Sequence, residues 1–366
     1  MKGIYKARLF QNFSFVRKFF ALPAILILWS CQLFLGPDPE NSPRGIFDAL
    51  WNDFNDTYAL MDIKMDLIGS NWDQIYKIYS PQISSGMTDR QLFGVCANML
   101  KELNDSHVSL NSSFAESNSG GFFDTSNMDP FSLDVIETYL NDGGTYAENN
   151  MFLYGTFKPP RQNIGYIFIA GFAYGDVGIA EQNWVKSIDS ITKALAHTDG
   201  LVVDVRANRG GLISNVDYIA ARFASKQKKY ITVSTRNGAG KNDFSDSLSS
   251  EIIPDGTKYT KPIVLLTNKQ TISGGEWFTL ALRSQSHVTH AGGTTHGAFS
   301  LSLQRPLING WIYTISVQKV TDMQGICYEG TGIPPPKHSV QNTPEKMLLG
   351  IDEQLEYAWS LMKPDN

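Results

Sequence analysis

The sequence predicts an α/β fold in which a helical bundle precedes a core of alternating strands and helices. Between residues 45 and 105, apolar side chains recur at the three- and four-residue spacing of amphipathic helices. From Ile164 onward, short apolar runs alternate with amphipathic segments, and polar or glycine-rich turns follow several of the runs. Runs that are apolar throughout are typical of strands buried on both faces, so we expect a largely parallel sheet.

The helical subdomain is predicted over residues 46–110 and rests on three amphipathic segments. The first covers residues 47–58, the second surrounds Trp72, and the third begins at Thr88, a residue type that favours helix N-caps. The spacing of their apolar residues predicts one shared core. The subdomain ends with the tripeptide Asp-Ser-His and a short alternating segment.

A connector is predicted over residues 111–160, because this interval is rich in Ser, Asn and Gly. Its strand signals, near 131–139 and 151–156, are weak. The interval is too short to hold a complete peptide-binding domain together with its linkers. The core is then predicted over residues 161–366.

The core elements follow from the apolar pattern. The predicted strands cover residues 164–169, 200–205, 230–235, 263–266 and 288–289, and a hairpin around Asn309-Gly310 covers 301–320. The predicted helices cover residues 180–196 and 216–223, the segment that follows Ser273, and a final helix from Thr343 to Met362.

The first 31 residues predict a secretory signal rather than part of the fold. A basic start is followed by an apolar run from Phe19 to Trp29. The sequence Leu-Trp-Ser-Cys that ends at Cys31 resembles a bacterial lipobox, which implies lipidation of that thiol and a location in the bacterial cell envelope, either periplasmic or on the surface. The alternatives are an ordinary signal peptide and an uncleaved anchor that extends to Leu35. Residues 32–45 read as a polar tether.

Composition excludes several classes of function. The net charge is −5, and the sequence contains no basic tract of the kind that binds nucleic acid. Of the three cysteines, Cys96 falls on an apolar helical face, and a disulfide between Cys96 and Cys327 has no support in the sequence. His287 and His290 would face opposite sides of a strand, so we expect no metal site and no cofactor.

Ser273 is the strongest candidate for chemistry. It lies between the apolar run 263–266 and a helical segment, and two glycines follow it. A strand-to-helix turn exposes a hydroxyl at the sheet edge, and the N–H groups that open the helix favour negative charge. These features suit a nucleophile whose attack creates an oxyanion. The alternative is a structural N-cap serine.

Three further segments each have a structural and a functional interpretation. His107 is either a structural histidine or a general base. Gly210 and Gly211 follow a strand end and form either a plain tight turn or a source of oxyanion-binding N–H groups. Glu329 lies in a Gly/Pro loop and is either a surface acid or an orienting carboxylate.

Together these segments resemble one family. The motifs are Asp-Ser-His at 105–107, Asp-x-Arg-x-Asn-x-Gly-Gly at 204–211, Ser-Gly-Gly-Glu at 273–276, Gly-Gly-Thr-Thr-x-Gly at 292–297 and Glu-Gly-x-Gly-Ile-x-Pro at 329–335. Their order resembles the tail-specific (C-terminal processing) serine proteases, which include the tricorn protease core and related retinoid-binding repeats. The resemblance covers roughly residues 45–360. It implies a ββα-superfold core related to Clp protease and crotonase.

The resemblance also implies roles for individual residues. Ala298 occupies the position of the lysine in the Ser/Lys branch of the family, so that dyad is excluded here. The tricorn-like branch implies Ser273 as nucleophile and His107 as base, with Ser106 and Glu329 orienting the imidazole. It implies oxyanion N–H groups from Gly274 and from Gly210 or Gly211. His296 is an alternative base, and Asp105 is an alternative orienting acid.

The implied function is that of a serine endopeptidase acting on polypeptides outside the cytoplasm through an acyl-enzyme. The PDZ domain common in the family has no counterpart in the sequence, so cleavage need not be specific for chain ends. The alternative is a non-catalytic module that binds hydrophobic ligands, as the retinoid-binding relatives do. The sequence does not indicate an oligomeric state.

Overall fold

The computed structural model describes residues 40–120, 129–173, 179–238, 240 and 242–362. The predicted signal peptide, Cys31 and residues 32–39 of the predicted tether lie outside the described residues. The tether is shorter than predicted, because a helix already begins at Pro43. Within the described part of the chain, no helix has the length and apolarity needed to cross a membrane.

The described residues form ten α-helices and fourteen strands, numbered here in chain order. The helices are α1 (Pro43–Thr57), α2 (Met61–Ile68), α3 (Trp72–Tyr79), α4 (Asp89–Lys101), α5 (Leu133–Tyr139), α6 (Ser187–Ala194), α7 (Ile213–Ala221), α8 (Gly274–Arg283), α9 (Pro344–Leu348) and α10 (Glu353–Ser360). The strands are β1 (Ser109–Asn111), β2 (Glu116–Asn118), β3 (Thr145–Ala147), β4 (Phe152–Thr156), β5 (Ile164–Ile169), β6 (Gly200–Asp204), β7 (Lys228–Thr235), β8 (Leu248–Ile252), β9 (Ile263–Thr267), β10 (Val288–Gly292), β11 (Ser302–Pro306), β12 (Ile312–Ser316), β13 (Gln318–Asp322) and β14 (His338–Ser339). Short 3₁₀ helices cover Ser80–Gln82, Asn141–Gly143 and Ile179–Lys186.

The first four helices confirm the predicted bundle. Local sequence fixes their starts: the Ser42 hydroxyl accepts from the N–H of Gly45 at the start of α1, and Thr88 and Gln91 form a capping box at the start of α4. The bundle does not have a core of its own, because Trp311 and other side chains of the β11–β12 hairpin region belong to the same buried cluster. The helical part and the later chain therefore fold against each other.

A seven-stranded sheet forms the α/β core, with the strand order β14-β10-β9-β6-β5-β4-β3. The five strands from β14 to β5 run parallel, and β4 and β3 join antiparallel at one edge. Strands β6 and β9 are buried along their whole length, as their uninterrupted apolar sequences predict. The mixed α/β core with an N-terminal helical region is confirmed.

The interval predicted as a polar connector contains more structure than its composition indicates. β1 and β2 extend a four-stranded sheet with the order β11-β12-β1-β2, and β3 and β4 complete the edge of the core sheet. Residues 131–139 also differ from their weak strand signal, because Leu133–Tyr139 is a helix whose N-cap is Ser132. The hydroxyl of that serine accepts from the N–H of Val135 and starts the helix.

The end of the chain also departs from the prediction of one helix. Gly350 has a φ of 74° and separates α9 from α10. Asp352 then caps α10 by accepting from the N–H of Leu355. The predicted hairpin at Asn309-Gly310 is confirmed as the antiparallel pair β11 and β12.

The structure also shows the surroundings of the two cysteines and two histidines that were considered for a disulfide or a metal site. Cys96 and Cys327 are both free thiols, so the disulfide considered above is not formed. His290 Nε2 lies 2.7 Å from the hydroxyl of Thr267, and His287 Nε2 lies 3.1 Å from the carbonyl of Phe223. Both imidazoles thus hydrogen-bond to the protein itself.

Candidate active site

Ser273 lies at the turn between β9 and α8 with strained backbone geometry. Its φ is 56° and its ψ is −120°, a combination that non-glycine residues rarely adopt. The serine is partly exposed, whereas the helix behind it is almost entirely buried. A strained, rigidly supported serine at a strand-to-helix turn is typical of a nucleophile rather than of an ordinary cap.

The strain predicts a measurable difference between two variants. A side chain at this φ costs of order 1–3 kcal/mol, and this cost disappears when the residue is glycine. Glycine also loses up to about 1 kcal/mol through the entropy of the unfolded chain. We therefore expect Ser273→Gly to be more stable than Ser273→Ala by about 1 kcal/mol in urea unfolding. Equal stability, or a more stable alanine variant, would contradict the strain.

The predicted oxyanion donors lie around the same turn, but their N–H groups are not equally available. The candidates are Gly210, Gly211 and Gly274. A Cβ placed on Gly210 would be 2.7 Å from the Cβ of Ser273 and 2.8 Å from the nitrogen of Gly274, so only glycine allows this close approach. The N–H of Gly210 already donates to Asn208 Oδ1 at 2.9 Å. Among the described residues, no hydrogen bond uses the N–H of Gly211, and Gly274 opens α8 without an intrahelical acceptor. Gly211 and Gly274 are therefore the better-suited donors.

Glu276 joins the nucleophile turn to a neighbouring loop, a role that the sequence analysis did not predict. Its buried carboxylate accepts hydrogen bonds from the Thr295 hydroxyl at 2.6 Å and from the backbone N–H groups of Gly297, Ala298 and Ser273 at 2.7, 2.9 and 3.1 Å. The N–H of Ser273 also donates to the carbonyl of Ala298 at 3.1 Å. The acid of the Ser-Gly-Gly-Glu motif thus holds the loop 294–300 against the nucleophile turn.

Ser106 contacts this loop through a histidine. Its hydroxyl lies 2.8 Å from Nε2 of His296, and Ser106 itself is buried. Burial lowers the pKa of His296 to about 4, and the nearby charge of Lys269 acts in the same direction. His296 is therefore neutral near pH 7, and it joins the helical subdomain to the core at the site.

His107 is held by its backbone. Its N–H donates to Asp105 Oδ1 at 2.8 Å, and its carbonyl accepts from the hydroxyl of Thr314 at 2.7 Å. Its ring nitrogen Nδ1 is buried and has no hydrogen-bond partner among the described residues. Burial lowers the pKa of the imidazole, while the charge of Asp105 opposes that shift. The ring is therefore neutral near pH 7 and able to accept a proton.

Glu329 borders the same loop from the other side. Its Oε1 accepts from the N–H groups of Phe299 and Ser300 at 3.1 and 2.6 Å, while Oε2 is buried without a partner among the described residues. Burial raises the pKa of this carboxyl to about 8, and the charge of Asp105 contributes. The pKa of Asp105 is lowered despite burial, because Lys64 and His107 favour its charged form. Near pH 7, Asp105 is the ionised acid and Glu329 is mostly protonated.

This arrangement predicts how pH affects stability. Because the folded-state pKa of Glu329 is raised from 4.5 to about 8, its stabilising contribution is complete below about pH 4.5 and is lost as the pH rises through 8. Glu329→Gln keeps an oxygen for the two N–H donors and does not titrate. We expect the melting temperature of the wild type to fall relative to that of Glu329→Gln between pH 4.5 and 8. Parallel curves over that range would contradict a raised pKa.

A cavity of about 550 Å³ opens beside the site at the junction of the helical subdomain and the core. Its lining residues are Lys64, Leu67, Ile68, Leu103, Asn104, Ser106, Asp129, Lys269, Thr294, His296, Gly297, Ala298, Gly330 and Gln341. The cavity therefore adjoins both Ser106 and Ala298, the backbone partner of Ser273.

The loop 294–300 thus contacts three of the four predicted catalytic residues: Ser273, Ser106 and Glu329. His107 directly follows Ser106 in the chain, and its ring, when protonated, contributes to lowering the pKa of His296. Among the described residues, no hydrogen bond joins Ser273 to His107 or Ser106 to Glu329. The structure instead pairs Ser106 with His296, a contact across 190 residues of sequence.

Comparisons with known proteins agree with these motifs. Residues 163–338 match peptidase family S41, and residues 39–101 match the tricorn protease C1 domain. The carboxy-terminal processing protease CtpB of Bacillus subtilis is 27% identical to this chain over 178 residues, and CtpA of the same organism is 29% identical over 173 residues. These matches cover 49% and 47% of this chain, and 34% of each relative. The chain thus spans about a third of the length of these curated relatives.

A solved structure extends the similarity to most of the chain. A candidate peptidase from Parabacteroides merdae, known from its crystal structure, shares 28% sequence identity with this chain. The two structures superpose with a TM-score of 0.78, and the match covers 89% of this chain and 98% of that one. The match therefore includes both the helical part and the core. Taken with the two matched segments and the motif order, it supports a serine peptidase of the tail-specific protease type, with the match to peptidase family S41 located at residues 163–338.

Proposed function

We propose that the protein is a serine endopeptidase that cleaves polypeptides through an acyl-enzyme on Ser273. The observation that carries this proposal is the backbone of Ser273, which is held at a φ of 56° with glycine turns on both sides. Such strain is retained where it presents a reactive group, and here the adjoining N–H groups of Gly211 and Gly274 suit an oxyanion.

The proposed chemistry assigns one step to each group. His107 removes the proton as Ser273 Oγ attacks the peptide carbonyl carbon, and the resulting oxyanion is bound by the N–H groups of Gly274 and Gly211. The protonated imidazole then gives its proton to the leaving amine. A water molecule, activated by the same histidine, attacks the acyl-enzyme and releases the acid product with Ser273 restored.

Asp105 is our candidate for the acid that supports His107. It is ionised near pH 7, its charge opposes the effect of burial on the imidazole, and it holds the backbone N–H of His107. Glu329, whose pKa is about 8, instead offers its unpartnered Oε2 as a second proton-sharing group. Ser106 is in this scheme a positioning residue whose hydroxyl is engaged by His296.

His296 is the competing candidate for the base. Three features favour His107 over it. The ring of His296 already bonds Ser106, and its pKa of about 4 makes it a weak proton acceptor. His107 has an ionised carboxylate beside it to stabilise the imidazolium.

The proposed location is the bacterial cell envelope, with Cys31 as a lipid-bearing N-terminus. The support is the sequence of the first 31 residues, which begins basic and continues as an apolar run before Cys31. The mass of the mature protein tests this. A chain that starts at Cys31 with added diacylglycerol is expected, and an unmodified or uncleaved N-terminus would contradict it.

Incubation with an unfolded polypeptide tests the proposed activity. Mass spectrometry of the products should reveal internal cleavages that require Ser273, because an endopeptidase does not depend on chain ends. Tight binding of a hydrophobic ligand with no hydrolysis of any peptide would instead favour the non-catalytic alternative. The mixed polar and charged lining of the cavity suits a peptide better than a purely apolar ligand.

A further inference from the structure

Two lysines contribute to the cavity beside the proposed catalytic residues. Lys64 comes from α2 of the helical subdomain, and Lys269 comes from the loop that follows β9. Both line the same cavity as Ser106 and His296. Ala298, whose carbonyl accepts from the N–H of Ser273, lines this cavity too, so the two lysines and the nucleophile turn border the same region.

The ammonium group of Lys64 has more N–H donors than hydrogen bonds to the described residues. Its side chain is 3% exposed, and its Nζ donates to the carbonyl of Asn104 at 3.1 Å. Among the described residues it forms no ion pair within 4.0 Å, so Asp105 and Glu329 act on it only at longer range. Since an ammonium has three N–H donors, at least one is available to a ligand.

The ammonium group of Lys269 likewise hydrogen-bonds to backbone carbonyls and forms no ion pair among the described residues. Its Nζ donates to the carbonyls of His296 and Thr295 at 2.9 and 3.3 Å, and no described carboxylate pairs with it. Burial lowers the pKa of Lys269, the charge of Glu276 opposes this shift, and the charge of Lys64 adds to it, so the two ammonium groups repel each other. An anion bound between them would relieve the repulsion and the loss of solvation.

The rest of the lining suits a short acidic group on an aliphatic stem. Leu67 and Ile68 are 53% and 41% exposed and form an apolar wall beside the lysines. Asp129 is the one acid among the lining residues, and burial raises the pKa of its carboxyl, which weakens its opposition to a second anion. The cavity thus combines methylene-binding surface with two cations.

We propose that this cavity binds the carboxylate of an Asp or Glu side chain of the substrate, with the methylene groups of that side chain against Leu67 and Ile68. The inference rests on the proposed peptidase function for its meaning, but carboxylate binding can be measured without turnover. Charge-assisted hydrogen bonds to a carboxylate are strong enough to change affinity by roughly tenfold.

Peptide binding to Ser273→Ala protein tests the proposal, because that variant binds without consuming the peptide. Labelled peptides that differ only in Glu against Gln at one position, or in a free against an amidated C-terminus, are compared by fluorescence anisotropy. We expect the Glu peptide of the first pair to bind roughly tenfold more tightly than its Gln counterpart. A difference confined to the second pair would assign the preference to the chain end and overturn the proposal. Equal binding in both pairs, at every position of Glu, would overturn the proposal.

Substitution of the lysines provides a second test of the proposal. In the same Ser273→Ala background, Lys269→Met should reduce the tenfold preference toward one, whereas Lys269→Arg should retain most of it. Lys346→Met, at an exposed lysine that does not line the cavity, is the matched control. A preference that survives in Lys269→Met and also in Lys64→Met, with melting temperatures showing folded protein, would place the carboxylate elsewhere. Absence of Ser273-dependent hydrolysis in wild type would count against the peptidase alone.

Discussion

Replacement of Ser273 by alanine is expected to reduce peptide hydrolysis by a factor of about 10⁴ or more while the protein stays folded. The hydroxyl is the proposed nucleophile, and losing a nucleophile leaves only the catalysis supplied by binding and oxyanion stabilisation. Alanine is close in size to serine, and residue 273 is partly exposed, so packing changes little. Steady-state cleavage of an unfolded polypeptide or a fluorogenic peptide measures the loss.

Ser284 provides the control within the same helix. It is the C-cap of α8, and its hydroxyl donates to the carbonyl of Ala281 at 2.6 Å. Ser284→Ala should lose up to about 1 kcal/mol of stability and keep activity within about twofold. Hydrolysis by Ser273→Ala at a rate comparable to that of this control would remove Ser273 from the mechanism.

Replacement of His107 by alanine is expected to lower the rate by a factor of about 10³ to 10⁴. Without a base, the serine hydroxyl is a poor nucleophile near neutral pH. The ring forms no hydrogen bond through Nδ1 among the described residues, so its removal breaks none at that atom. The measurements are kcat with the same peptide and the melting temperature of each protein.

The comparison with His296 makes this prediction specific. His296→Phe removes the bond to Ser106 but keeps a ring of similar size, and it should lower activity about tenfold or less, as expected for a positioning residue. A larger loss for His296→Phe than for His107→Ala would assign the role of base to His296. Ser106 would then be the residue that links base and nucleophile.

Sequence patterns were sufficient for the buried parts of the fold. Strands β6 and β9 are flanked by hydrophobic layers on both sides, so their residues are apolar without interruption and the strands are easily recognised. The turn at Ser273 was also predictable, because a serine followed by two glycines between a strand and a helix permits few backbone paths. The local setting left a nucleophile and a structural N-cap as alternatives for Ser273, and the proposed role rests on the resemblance of several motifs taken together.

Edge elements were harder to predict. β3 is largely exposed, so nothing in its composition distinguishes it from a polar loop. Its position comes from its pairing with β4, which in turn pairs with the buried strand β5. The break at Gly350 was missed for a related reason, since a single glycine within a helical pattern is often tolerated.

The contacts that build the site are the part that sequence could not supply. Ser106 and His296 meet only because β1 pairs with β12 and so brings residues near 109 next to residues near 314. Glu276 forms a capping box with Ser273, and nothing in the sequence indicates that its carboxylate also accepts hydrogen bonds from residues 295–298. Burial of Glu329, which raises its pKa, depends on the whole fold.

Labelling with a fluorophosphonate tests the central claim most directly, because this reagent reacts with an activated serine whatever the natural substrate is. We expect mass spectrometry to locate the adduct on Ser273 of the wild-type protein, with labelling absent in Ser273→Ala and at least a hundredfold slower in His107→Ala. Folded wild-type protein that remains unlabelled, or an adduct on another serine, would contradict the assignment of Ser273 as a nucleophile activated by His107.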